Sequence, residues 1–307
     1  MNYGLINKPY NSTDDWFKGV SRSNNVIVNE AGDWTDFLPP VEYQSGFGFD
    51  SFSCVSFSAL NCLETLLKAQ GIFFNASDRW LAKMSGTTGA GNTVWAVADA
   101  IRKCGLVTEQ DWPYDRATMN SWDTFYSDIP KEIQDLGKKF LEMYEVNYEN
   151  VRYADIKEAL KYAPLQVGVY AWLSPVNGIY PCDHDKSQNH LVELFKIDAD
   201  GYYYIYDHYN QSIKKLDKGF KFGSVVRYSI KPNQKPMLQL ENNTLVQEVT
   251  ESGKFGLYLD GKIFVDDTAL ILATWTMRNT GMGLKKAITK EDWDSVLHYN
   301  LKREQVD

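Results

Sequence analysis

The stretch Ser53-Cys54-Val55-Ser56-Phe57-Ser58-Ala59-Leu60-Asn61-Cys62-Leu63 decides how this 307-residue chain is read. Val55, Phe57, Ala59, Leu60, Leu63, Leu66 and Leu67 recur at helical spacing, and Gly71 closes the run. Upstream lie Pro39-Pro40 and a Gly/Ser/Phe-rich loop over residues 45–53. Cys54 therefore sits where loop turns into helix. A thiol there faces the positive end of the helix macrodipole, which favours thiolate. A nucleophilic thiolate also needs an imidazole, first as its ion-pair partner and later as proton donor to the leaving group. His190 lies 136 residues on and opens an apolar strand pattern, Leu191-Val192-Glu193-Leu194-Phe195. Asp207 ends the next strand pattern, 17 residues after His190. A hairpin would set Asp207 beside His190 and fix its tautomer.

Outward from this core, helices are expected over residues 93–103, 131–143 and 154–162. Asn92 is the expected N-cap of the first and Gly105 its stop. After Pro164 the period changes. Residues 165–171, 190–197, 202–207 and 225–230 read as strands, with Asp198-Ala199-Asp200-Gly201 as a hairpin turn. Helices first and antiparallel strands second imply an α+β fold with two lobes. Residues 1–32 are polar and irregular and read as an N-terminal arm or packed loop. Lys231-Pro232-Asn233-Gln234-Lys235-Pro236 reads as a linker, which leaves residues 33–230 as the main domain and 237–307 as a small α+β accessory domain. In the latter, strands are expected over 244–249, 255–259 and 262–265, turning at Asp260-Gly261. Helices are expected over 268–278 and from 291.

Composition bounds the function. The chain is 44% hydrophobic and 23% charged, as an ordinary globular protein is. A net charge of −8 with no basic cluster argues against nucleic acid as partner. Beyond residue 230 there are ten basic and eleven acidic residues, so the acidity belongs to the first region. Four cysteines make no disulfide scaffold, and Cys62, Cys104 and Cys182 read as small hydrophobes. No signal peptide or membrane-length apolar run is visible, so a soluble protein without a membrane partner is expected, cytoplasmic or virion-associated. The sequons at Asn11, Asn75, Asn210 and Asn242 then read as chance. Cys182-Asp183-His184-Asp185 lacks a second ligand cluster, and Asp198-Ala199-Asp200-Gly201 lacks the downstream Glu of a calcium loop, so neither a metal nor a cofactor is expected. His208 reads as a surface residue beside Asp207.

These residues carry a resemblance. Ser53-Cys54-Val55-Ser56-Phe57-Ser58-Ala59 resembles the Cys-Trp-Ala-Phe-Ser-Ala segment of the papain/cathepsin class of cysteine proteases. Asp33-Trp34, Pro40-Val41-Glu42-Tyr43-Gln44, Gly91-Asn92-Thr93-Val94-Trp95, Trp112-Pro113-Tyr114, Pro164-Leu165-Gln166-Val167, Asn189-His190-Leu191-Val192 and Tyr204-Ile205-Tyr206-Asp207-His208-Tyr209 resemble other family segments, in family order, across about residues 33–230. There are departures. Ten residues separate Gln44 from Cys54, an insertion expected within 47–52. Val55 stands for the family's Trp, Asp207 for its orienting Asn, and Tyr209 for the Trp that shields that position. Leu191 replaces a small residue bordering the main specificity pocket, and Ser51 lies near the place of a family disulfide cysteine. Thirty-two residues before Asp33 are too few for the usual prosegment.

The resemblance implies a papain-like two-lobe fold and peptide-bond hydrolysis. It implies that Cys54 is the nucleophile, His190 the acid/base, Asp207 the orienting group and Gln44 an oxyanion donor. It further implies that Gly91, Asn92, Asn189 and Leu191 border a protein or peptide substrate. An isolated cysteine or strand-end histidine is more often a packing residue; the ordered set of matches reverses that weighting here. Two other readings stay open: a cell-wall peptide amidase of the phage-lysin kind, and a catalytically silent papain-like module used for assembly or binding. A microbial or phage setting, and an assembly partner held by residues 237–307, are further expectations.

Overall fold

The computed structural model describes residues 3–9, 16–18, 27–209 and 213–233, and the strands 244–248, 255–259, 262–265, 285–288 and 297–300. The chain divides into two compact units, Met1–Pro232 and Asn233–Asp307.

The first unit is built around helix α1, Cys54–Ala69. All residues from Cys54 to Leu67 are buried, the polar Ser56, Ser58, Asn61, Glu64 and Thr65 among them. One face lies on the helices α2 (Asp78–Met84) and α3 (Val94–Cys104). The other lies on a seven-stranded sheet in the order β3-β9-β4-β6-β7-β8-β5. Its strands are β3 Tyr144–Asn150, β4 Leu165–Val169, β5 Ile179–Tyr180, β6 His190–Ile197, β7 Tyr203–Tyr206, β8 Ile213–Leu216 and β9 Val225–Pro232. All neighbours are antiparallel except β5 with β8. Trp34 enters the core completely buried; its amide donates to Phe195 O and its indole to Leu160 O.

The expected helix over 131–143 is helix α5, Lys131–Met143, after the short α4, Trp122–Phe125. Gly105 ends α3 at φ 71° and touches α5, where a Cβ would lie 1.8 Å from Gly137 O. Three expectations shift. The N-cap of α3 is Thr93, whose side chain accepts from the Ala96 amide, while Asn92 Nδ2 is drawn off to Ser85. The helix expected over 154–162 shrinks to α6, Ile156–Ala159, preceded by a 3-10 turn. Strand β4 stops at Val169, short of the expected 171. Among the elements not foreseen are α2, β3 and β8. Ser77 caps α2 through the Trp80 amide. Strand β3 follows α5 without a break and pairs along β9, with Glu149 directly opposite Arg227 as a buried ion pair.

The insertion between Gln44 and Cys54 is a hairpin, β1 (Ser45–Gly46) on β2 (Phe49–Asp50). Its two turn residues, Phe47 and Gly48, have φ of 51° and 80°, as a type I′ turn requires.

In the second unit, β10 (Thr244–Glu248), β11 (Phe255–Leu259) and β12 (Lys262–Val265) form an antiparallel meander. Strands β13 (Lys285–Ile288) and β14 (Leu297–Asn300) add in parallel at its two edges. A strand therefore stands where a helix from 291 was expected. The helix expected over 268–278 and the turn at Asp260-Gly261 lie outside the described residues.

Candidate active site

Cys54 is the first residue of α1 and has no exposed surface. Its helix end is fixed from the sheet. Gln166 of β4 donates from Nε2 to Val55 O and Ser58 Oγ, each at 2.8 Å, and its Oε1 accepts from Tyr228 of β9. The expectation of a stabilised thiolate is reversed in this closed form. Burial pushes the Cys54 thiol well above its ordinary value, and the charges of Asp50 and Asp207 add to this; the Leu191 and Val55 backbones oppose it. Desolvation thus outweighs the helix-end effect.

His190 opens β6 and is also completely buried. Its Nε2 lies 2.9 Å from Asp207 Oδ1. Burial pushes the Asp207 carboxyl up, but the charge and hydrogen bond of His190, with the Lys214 charge, outweigh it and hold the group well below the usual carboxylate range. An ionised Asp207 assigns the proton to Nε2, which leaves Nδ1 as the basic atom. That Nδ1 is buried with no hydrogen-bond partner. Asp207 is itself held on every side. Oδ1 also accepts from the Tyr209 amide at 3.2 Å, and Oδ2 accepts from Trp172 Nε1 at 3.1 Å and Lys214 Nζ at 2.7 Å.

The sequence reading missed Trp172 and Lys214. Lys214 had a signal: in Ile213-Lys214-Lys215-Leu216 it alternates with outward positions and shares the buried face with Leu216. An inward Lys needs a charged partner. His208 corrects another expectation. It is buried, not at the surface, with its ring 5.2 Å from Phe57 and 5.0 Å from His190. Burial, with the His190 and Lys214 charges, pushes its imidazole down to about 3, so it is neutral.

Gln44, also buried, returns to the site because the β1–β2 hairpin closes the inserted loop. Its Nε2 donates to Asp50 Oδ1 at 2.9 Å and to the backbone carbonyl of Tyr3 at 3.0 Å. Tyr3 belongs to the chain's own N-terminal arm, which lies across the site. Its amide donates to Asn189 O at 3.3 Å, and its ring lies 5.1 Å from that of His190. The Asn92 amide donates to Gly4 O at 2.9 Å, and the Ile6 amide to Asn92 O at 2.8 Å, so Leu5 bridges Asn92 in parallel. Asn7 Nδ2 donates to Gln188 O at 2.7 Å. The approach is close enough to demand glycine on both sides: a Cβ on Gly91 would lie 2.1 Å from Gly4 O, and one on Gly4 2.2 Å from Phe52 O. Beyond Asn7 the groove opens into a cavity of about 460 Å³ walled by Tyr170, Lys186, Gln188 and Lys221.

Of the residues named from sequence, Gln44, Gly91, Asn92 and Asn189 thus meet the chain's own N-terminal arm. Asn189 does so through its backbone carbonyl, while its Oδ1 accepts from the Ala171 amide. Leu191 is fully buried, opposite Gly168 in the β4–β6 register. All four cysteines are free. Among the described residues, His190, Asp207 and His208 form the one group with three ligand-type atoms within 4.8 Å of one another. The Lys214 ammonium on Asp207 already supplies the positive charge there, so this donor set does not suit a metal ion. Among the described residues no helix is long and apolar enough to cross a membrane.

No family model matches the chain, and no curated protein is a significant match by sequence. Solved structures do match. Xylellain, a cysteine protease from Xylella fastidiosa, superposes with a TM-score of 0.51 at 13% identity, over 73% of this chain and 94% of that one. The fold is papain-like. A digestive procathepsin L2 proteinase from the Tenebrio molitor larval midgut gives a TM-score of 0.50 at 15% identity, over 75% of this chain and 78% of that one. In this papain-like fold, helices on one side and an antiparallel-rich sheet on the other meet along α1, which carries Cys54 at its N-terminus.

Proposed function

We propose that this chain is a cysteine peptidase acting on protein or peptide substrates. The observation that supports this best is how the chain's own N-terminal arm is held: Gln44 donates to its backbone carbonyl at Tyr3, beside a His190 whose Nδ1 is buried and unpartnered. In the reaction, the arm leaves and water re-enters, which lowers the desolvation cost of the Cys54 thiolate. The thiol proton passes to His190 Nδ1. The sulfur attacks the scissile carbonyl, and a C–S bond forms. Gln44 Nε2 and the Cys54 amide hold the oxyanion. The C–N bond breaks as His190 Nδ1 returns its proton to the leaving amine. His190 then takes a proton from water, whose oxygen attacks the thioester and releases Cys54. Asp207 holds the imidazole throughout.

Peptide-library hydrolysis by the full chain tests the reading. Cys54→Ala should lose turnover by about a thousandfold or more with its thermal unfolding unchanged. A peptidyl epoxide should label Cys54 in the wild type. The closed, fully buried thiol favours one competing reading, the silent module. Failure of both labelling and turnover, after the arm has been displaced, would select it.

A further inference from the structure

The group that holds His190 is a buried carboxylate, and its charge is matched. Lys214 is buried, its Nζ 2.7 Å from Asp207 Oδ2 on the side away from His190, which meets Oδ1. Its ammonium also stands over the rings of Trp172 at 5.4 Å and Tyr180 at 5.9 Å. We propose that Lys214 is a positioning residue whose ammonium cancels the Asp207 carboxylate, so that the pair acts toward His190 as one nearly neutral hydrogen-bond acceptor. This rests on the peptidase reading for its catalytic consequence, though not for its electrostatics.

The argument is one of charge. A lone buried carboxylate 2.9 Å from an imidazole attracts imidazolium strongly in a low dielectric. An imidazolium held that tightly is a poor proton donor to the leaving amine and a poor base toward water afterwards. An ammonium on the opposite oxygen offsets most of that attraction while leaving the hydrogen bond intact. The surrounding groups do not supply this balance. His208 is neutral. Cys54 faces the site from α1 as a protonated thiol, and Tyr3 from the arm as a phenol. Trp172, Tyr180 and Tyr209 contribute dipoles and ring faces. Asp50, joined to the Tyr209 hydroxyl, adds a second negative charge. Lys214 is therefore the compensating cation in contact with Asp207.

The test measures the His190 ring by NMR titration of the full chain labelled with ¹⁵N-histidine, together with kcat/KM on a cleaved peptide against pH. Lys214→Met should raise the His190 midpoint, and the alkaline limb of kcat/KM with it, by about one pH unit, and lower kcat by about tenfold. Lys214→Arg should stay within about 0.3 unit of wild type. The double variant Asp207→Asn/Lys214→Met should recover to within about threefold of wild type, because a neutral amide needs no counter-ion. An unchanged or lowered midpoint in Lys214→Met, or a double variant no better than that single one, overturns the proposal. Should Lys214→Met fail to fold, Asp207→Asn alone is compared with the double variant. The single one buries an unpaired ammonium and should be about tenfold less active, and equality overturns the proposal. If wild type hydrolyses no peptide, the peptidase reading falls, and the His190 midpoints still decide the role of Lys214.

Discussion

At the scale of single residues, the site depends on polar side chains that have no freedom left. Gln166 is the clearest case. Its amide bridges β4 to the first turn of α1 through Val55 O and Ser58 Oγ, and its carbonyl takes the Tyr228 hydroxyl. All of these groups are buried, so a deleted partner leaves an orphan in a low dielectric, costing about 1–3 kcal/mol each. Gln166→Leu should therefore destabilise the first unit by about 3 kcal/mol in urea unfolding and move the helix end that carries Cys54, and under the proposed peptidase reading cut kcat further than its stability loss explains. A loss below about 1 kcal/mol would show that water or repacking takes over these bonds. Sequence could place Cys54, His190 and Asp207 because each stands at the end of a periodic element. It could not place Trp172, whose segment has no period, or bury His208, whose ring is held by Phe57 and His190 through packing alone.

At the scale of elements, α1, α5 and β6 were legible because long apolar periods survive tertiary context. Strand β3 was legible in principle: Tyr144, Val146 and Tyr148 alternate with polar residues, but the helical pattern before it runs on without a turn residue. The N-terminal arm was read as such, but its docking across the site was not legible. Tyr3-Gly4-Leu5-Ile6 has no period of its own, and it is placed by hydrogen bonds from Gln44, Asn92 and to Asn189. It lies on Gln44, Asn92, Asn189 and the His190 ring, so under the proposed peptidase reading substrate and arm compete. The two glycines of this contact separate the two roles. Gly4 has φ 107°, and a side chain there would strike Phe52 O. Gly4→Val should eject the arm and leave the groove itself unaltered, raising kcat/KM by about tenfold or more as the open fraction grows. Gly91→Ala instead narrows the wall that any peptide must meet, and should lower kcat/KM for every substrate. Progress curves of the two variants on one peptide decide this. A Gly4→Val enzyme no faster than wild type would mean that the arm leaves at negligible cost.

At the scale of the whole first unit, the buried charge has a sign that sets its pH response. Four carboxyl groups lie in the core or at its edge with raised values. Burial pushes Glu193 up to about 8 and Glu109 up to about 7, and burial with neighbouring carboxylates holds Glu64 and Asp78 well above their ordinary values. Burial of Glu193 outweighs the opposing effect of the Thr65 hydroxyl, so the neutral acid is the favoured form. A carboxyl raised on folding contributes stability that is complete below its unfolded value and is lost as pH rises through the folded one. Through Glu193 and Glu109, stability should fall as pH rises from about 5 to 8. His208 works in the opposite direction. Its value is lowered to about 3, so it costs stability as pH falls below its ordinary 6.5. One such group is outweighed by four. Asp207, held low, gives way only in stronger acid. Thermal unfolding should thus occur at higher temperature at pH 5.5 than at pH 8. Glu193→Gln removes the titrating group while keeping its shape. It should raise the pH 8 midpoint by about 3 °C or more and leave the pH 5.5 midpoint within about 1 °C. A variant that gains equally at both pH values would show that Glu193 is not the group that titrates.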